Sequence, residues 1–252
     1  SRSSYYTGIM VQELQSGRQK MIKSLPKDGR ISNVSWSPDG KHIAMTVIRG
    51  SQINLYTVDI KSSKAKLLFK SPLNTIYGTP FYWLSNSKGL VVKTIISGRG
   101  DPPKVSSVPK GPVVQENLGK KAAARTYQDL LTNSYDEVLF KYYMNAQVVY
   151  VDLKGKTKKI GKPGIIRRNE PSPDGNYILL ETIHQPFSYL VPLYRFPILV
   201  EVLDIEGNLV HTLRDIPLAE SIPIGRDAVI SGPRSFGWRA DLGSTIYYVE
   251  AL

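Results

Sequence analysis

The chain contains no cysteine and only three histidines among its 252 residues. Disulfides, thiolate zinc sites, iron–sulfur clusters and a cysteine nucleophile are therefore excluded. No apolar run approaches the ~18 residues of a membrane-spanning helix, so no membrane partner is expected. Acidic residues are scarce, 21 against 33 Lys plus Arg, giving a net charge of +12. Such a balance invites a nucleic-acid reading. However, the basic clusters at Lys154, Lys156, Lys158, Lys159 and Lys162 and at Lys120, Lys121 and Arg125 have no interleaved stacking aromatics. They read as solvated hairpins and a loop, and no nucleic-acid partner is expected. The start, Ser1-Arg2-Ser3-Ser4, has neither Met nor an apolar signal region, so the chain reads as trimmed.

What the sequence does have is a repeated module. Its first copy is Trp36-Ser37-Pro38-Asp39-Gly40 followed by Lys41 to Thr46. Further copies begin at Trp83, Pro171 and Trp238. Each reads as a short strand, a tight turn and a longer apolar strand. Pro presets φ, Asp bonds its own backbone and Gly accepts a positive φ. After Ile43–Ile48 and after Tyr177–Ile183 a second hairpin pattern follows. Four antiparallel strands per repeat of roughly 40–50 residues mark a β-propeller blade.

The expected fold is all-β, a partial propeller of four-stranded antiparallel blades. A C–D hairpin is expected at about 6–24, blades at 31–70, 79–161 and 169–214, and an A–B pair at 235–252. Open edges would remain at both ends, which natural sheets avoid. The chain therefore reads as a fragment of a larger propeller, with closure of its two ends into a four-bladed ring as the alternative. Three long segments, 97–145, 184–197 and 215–235, connect strands at one face of the disc, the first with a helix expected over Ala122–Leu131 and Glu137–Tyr143 leading into the next strand. Loops of this length are usually functional or disordered.

Searches for chemistry within the chain are unproductive. His42, His184 and His211 have no partner at metal-ligand spacing, and no G-x-S-x-G elbow occurs. His42 and His211 read as satisfied strand residues. No catalytic residue, metal or cofactor is expected in this chain. The long loops carry aromatics, among them Phe187, Tyr189 and Tyr194, suited to an interdomain or gating surface. Arg195, Arg226, Arg234 and Arg239 lie in or beside them. Each could bind an anionic substrate group through its forked guanidinium. The competing expectation is that the loops pack on each other and these Arg residues pair with Asp227, Glu220 or Asp241.

Several loop segments carry a family resemblance. They are Ala123 to Leu131, Pro186 to Pro192 with Arg195-Phe196-Pro197, Pro217 to Glu220 with Ile222-Pro223-Ile224, and Gly232 to Leu252. Together with Ser4 to Ile9 and Val34 to Ala44 they resemble the propeller of the prolyl oligopeptidase family of serine peptidases, in its glutamyl endopeptidase branch. The resemblance implies a larger parent with a C-terminal α/β-hydrolase domain that holds a Ser-Asp-His triad beyond Leu252. It implies that the propeller gates peptide substrates, with cleavage after Glu, and that this hydrolase domain and the peptide are its partners. It implies an exported or periplasmic location for a bacterial protein and a plastid for a plant one. The alternative is a stand-alone propeller that binds proteins and has no hydrolase activity.

Overall fold

The structure is a computed structural model and describes residues 5–104, 127–222 and 228–251. An N-terminal hairpin pairs β1 (Met10–Gln12) with β2 (Gln19–Met21). A four-stranded antiparallel meander follows, formed in sequence order by β3 (Arg30–Trp36), β4 (His42–Arg49), β5 (Gln52–Asp59) and β6 (Lys64–Leu67). Next come β7 (Phe81–Trp83), β8 (Gly89–Ile95), helix α1 (Ser134–Met144), β9 (Asn145–Asp152) and β10 (Thr157–Pro171). They are succeeded by β11 (Tyr177–Ile183), β12 (Ile198–Asp204) and β13 (Leu209–Ile216). A last hairpin pairs β14 (Arg234–Trp238) with β15 (Ile246–Val249).

Strands β7 to β13 form one curled antiparallel sheet in sequence order. It consists of two four-stranded meanders that share β10. The first part of β10 pairs with β9 over Thr157–Ile160, and its later part pairs with β11 over Ile165–Pro171. The sequence reading had separate strands here. The chain instead jogs at Gly161-Lys162-Pro163 without leaving the sheet. Gly161 takes φ +59° and Pro163 offers no N–H, so the register slips between Ile160 and Gly164.

Consecutive meanders stack face to face, and the period-two alternation of strand residues shows it. In β8, Leu90 and Val92 face one core with Ala44, Leu55, Phe81 and Val149, whereas Val91 faces another with Val148, Ile166 and Ile178. In β11, Ile178 and Leu180 join that second core, and Leu179 and Ile183 enter a third with Val200 and Phe236. Both faces of the middle strands are thus dry, as in the blades of a β-propeller.

The repeated turns make the stacking regular. Ser37 Oγ donates to Asp39 Oδ1 at 2.7 Å and accepts from the His42 N–H at 2.9 Å. Ser172, Asp174 and Tyr177 repeat this at 2.5 and 3.0 Å. Gly40 and Gly175 hold φ of +68° and +75°. Neighbouring turns touch: Asp39 N–H donates to Ser87 Oγ at 3.0 Å and Asp174 N–H to Gly243 O at 3.1 Å. The module tryptophans also bridge meanders. Trp83 Nε1 donates to Ser35 O at 3.3 Å, and Trp238 Nε1 to Glu170 O at 3.1 Å. All four turns therefore lie on one face, and the long segments leave from the opposite strand ends.

Two expectations are corrected. The helix expected at 122–131 is not seen at 127–131, and 122–126 lies outside the described residues. The helix is α1, where Glu137 to Tyr143 reads in sequence as an approach to a strand. Asn133 caps it by accepting from Tyr135 N–H and Asp136 N–H at 2.8 and 3.0 Å, with Asp136 and Glu137 in the first turn and Lys141 in the last. The ring-closing alternative is not realised, since β1–β2 and β14–β15 are separate two-stranded sheets.

Candidate functional site: the long-loop face

The face opposite the Ser-Pro-Asp-Gly turns is built from three segments that pack on one another. Phe140 of α1 meets Phe187 and Phe196 edge-on, with centroids at 5.1 and 5.9 Å, and Phe187 stacks on Phe196 at 5.4 Å. Leu131, Leu193, Leu218 and Ile230 close the same apolar cluster over β11 and β12. The aromatic and Pro-rich character of 184–197 thus serves a packed cap.

Polar contacts lock the cap. Tyr189 donates to Glu137 Oε1 at 2.6 Å, and this hydrogen bond to a carboxylate, aided by burial, pushes the phenol up to about 12. Ser188 Oγ bonds Glu220 and accepts from the N–H groups of Leu190 and Val191. Arg99 lies over the ring of Tyr142 at 4.2 Å and donates to its carbonyl at 3.2 Å.

The four candidate arginines are placed differently. Arg195 donates from Nη1 to Ala219 O at 3.1 Å and Ile222 O at 2.7 Å, tying the second loop to the third. Arg239 forks onto Asp241 at 3.1 and 2.6 Å, which holds that carboxyl below its ordinary range. Arg234 opens β14 and, among the described residues, donates only from Nη1 to Ile230 O at 3.3 Å. Arg226, with Asp227, lies outside the described residues. The structure therefore does not gather the four into one cluster. Of the candidate gating aromatics, Phe187 is half-buried in the cap, Tyr189 is held by Glu137, and Tyr194 stays exposed at 60%.

Sequence reasoning missed a charged cluster at the adjoining strands. Glu181 is buried and faces Arg167 Nη1 at 3.3 Å and Arg168 Nη1 at 3.6 Å. Arg168 also bonds Glu170 and the carbonyl of Phe236. The adjacent pair Arg167-Arg168 opposite Glu181 in the antiparallel register was its only sequence signal. No helix among the described residues is long and apolar enough to cross a membrane.

No family model matches the chain. It is 40% identical over 99% of its length to a protein of Oryza sativa subsp. japonica named "Probable glutamyl endopeptidase, chloroplastic". An Arabidopsis thaliana protein of the same name is 40% identical over 98% of it. The chain spans 28% and 27% of the length of these two relatives. Among solved structures, the β-propeller domain of the trilobed protease from Pyrococcus furiosus aligns over 82% of this chain and 49% of its own, with 12% identity and a TM-score of 0.45. The resemblance carried by the loop segments is borne out: over nearly all of its length this chain is a homologue of one segment of proteins named as glutamyl endopeptidases.

Proposed function

We propose that the chain is the propeller region of a serine peptidase, gating and positioning peptides for an α/β-hydrolase domain of the same parent chain, with cleavage after Glu. The observation that carries this is the 40% identity over nearly the whole chain to probable glutamyl endopeptidases. The packed cap supports it. It presents Tyr194 and Leu190 to solvent on the face that carries every long segment, an apolar surface suited to a domain contact. In this reading the nucleophile lies beyond Leu252, and the chain's own residues bind and orient.

Arg234 is the best-placed described residue for an acidic side chain, since among the described residues its fork makes only one bond, to a carbonyl. Arg195 is engaged in tying two loops of the cap together, and Arg239 is paired with Asp241 at the turn face. In the full-length parent, Arg234→Ala is expected to lower kcat/KM for a Glu peptide by about tenfold or more while sparing the matched Gln peptide, as for loss of a charge-assisted contact. Equal losses on both peptides overturn the assignment to Arg234. Failure of a fluorophosphonate probe to label any serine of the full-length parent overturns the peptidase reading itself. A plastid location follows the plant relatives and is tested by imaging the tagged parent.

A further inference from the structure

Of the three histidines in the chain, one sits where two long loops leave the sheet. His42 leaves Nδ1 buried without a partner, contrary to its reading as a satisfied strand residue. His211 stands exposed in β13, opposite Val202. His184 is the first residue after β11, where the second loop departs. Its backbone N–H donates to Pro197 O at 3.1 Å, which closes that loop at its base. Asp215 is the last residue but one of β13, where the third loop departs. Ile183, Ile198 and Ile216 form one row across β11, β12 and β13 and enter the core below the cap. His184 and Asp215 adjoin the two ends of that row.

The His184 ring bridges the two loop bases. Nε2 lies 2.8 Å from Asp215 Oδ1, and Nδ1 lies 2.6 Å from Gln185 O. Sheet order puts β12 between β11 and β13, so the bond to Asp215 spans an intervening strand. Both partners only accept, since neither a carbonyl nor a carboxylate has a proton to give. Neutral imidazole has one N–H and serves one of them, and its bare nitrogen then faces an oxygen lone pair. Only the imidazolium donates at both nitrogens. Histidine side chains change charge within roughly pH 5–8, so one of the two bonds is conditional on pH.

The other charged groups of the surrounding elements are engaged elsewhere. Arg214, beside Asp215, turns to the carbonyls of Pro233 and Ser231. Arg195 of the second loop is held by Ala219 O and Ile222 O, and Glu220 of the third by Ser188. On β11, Glu181 faces Arg167 and Arg168, and on β12, Glu201 is opposite Thr212, further along the sheet. From α1, Lys141 lies over the Phe187 ring at 5.5 Å and Glu137 is held by Tyr189. Among the described residues, Asp215 is the one charged group within ion-pair distance of the His184 ring.

We propose that His184 is a pH-sensitive clasp at the base of the long-loop cap. As imidazolium it ties the second loop to the third through Asp215; on losing its proton it gives up one of its two bonds and both loops loosen. The clasp belongs to the cap itself and does not depend on the peptidase reading. Hydrogen exchange of the full-length parent at about pH 6 and about pH 8, corrected for the intrinsic exchange rate, tests it. Protection of 184–197 and 215–222 should fall about threefold from the lower to the higher pH, the scale of one exposed charge-assisted bond, while that of β4 and β5 stays unchanged. Asp215→Asn should keep the protection but remove its pH dependence, because an amide can accept from an N–H or donate to a bare nitrogen. His184→Gln should also remove the pH dependence, and His211→Gln should preserve it. Unchanged protection of β4 and β5 shows in each variant that the sheets are folded. Equal protection of both segments at the two pH values in the parent overturns the proposal. So does a pH dependence that survives in either His184→Gln or Asp215→Asn, or that is lost in His211→Gln.

Discussion

Among the described residues, Lys93 is the largest fully buried side chain, 1% exposed in the middle of β8. Its ammonium donates to the carbonyl of Tyr77, and no carboxylate among the described residues lies within ion-pair distance. Burial alone brings its pKa from the ordinary 10.5 down to about 8. The difference corresponds to about 3 kcal/mol of penalty on the charged form. The sign follows from linkage. Below pH 8 the lysine is protonated in both folded and unfolded chains, and the full penalty applies. Between pH 8 and 10.5 the folded chain releases the proton first, and the penalty fades. Lys93→Met removes the titration but leaves Tyr77 O without its donor, a loss of about 1–2 kcal/mol. The variant should therefore be at least as stable as the parent at pH 7. The parent should then gain on it by up to about 3 kcal/mol as pH rises from 8 to 10.5. Urea denaturation of both proteins at pH 7, 9 and 10 measures this. A stability difference that does not change with pH, or a variant several kcal/mol weaker at pH 7, refutes the reasoning.

Further outcomes follow from the same geometry. Gly78 has φ +66°, and a Cβ there would sit 2.4 Å from Arg167 O, so Gly78→Ala should cost more than about 2 kcal/mol by denaturation. Gly17, with φ +68° and open space around it, should lose only about 1 kcal/mol on the same change. Asn133→Ala removes both cap bonds of α1 and should cost about 1 kcal/mol, with faster hydrogen exchange at Tyr135 and Asp136. Phe196→Ala, at a residue 3% exposed between Phe140 and Phe187, should cost about 3–5 kcal/mol in thermal unfolding. Arg195→Ala should free the 217–222 segment to proteolysis while leaving the sheets folded, as it removes two carbonyl bonds and no core group.

The strands and turns were readable because their signals are local. Pro-Asp-Gly after Ser37 or Ser172 encodes its own hydrogen-bonded turn, and the near-continuous apolar runs in Ile43–Ile48 and Tyr177–Ile183 encode burial on both faces. The join within β10 was hidden because Gly161 and Pro163 look like punctuation, yet pairing on both sides carries the strand through them. Helix α1 was missed because its signals, the cap at Asn133 and the packing of Phe140, are weaker in sequence than a run of strong helix formers. Of the arginine roles, the Arg239–Asp241 pair was legible as the competing expectation, because the two residues are neighbours in sequence. That Arg195 meets the carbonyls of Ala219 and Ile222 depends on how distant loops close over one another and was not.

The functional account turns on selective cleavage by the full-length parent. Two peptides that differ only by Glu or Gln at the scissile position should be compared by kcat/KM, with and without a fluorophosphonate inhibitor. The account predicts cleavage of the Glu peptide at least about tenfold more efficient, worth about 1.4 kcal/mol in the transition state, and abolished by the inhibitor. Equal cleavage of both peptides, or activity that survives the inhibitor, would contradict it.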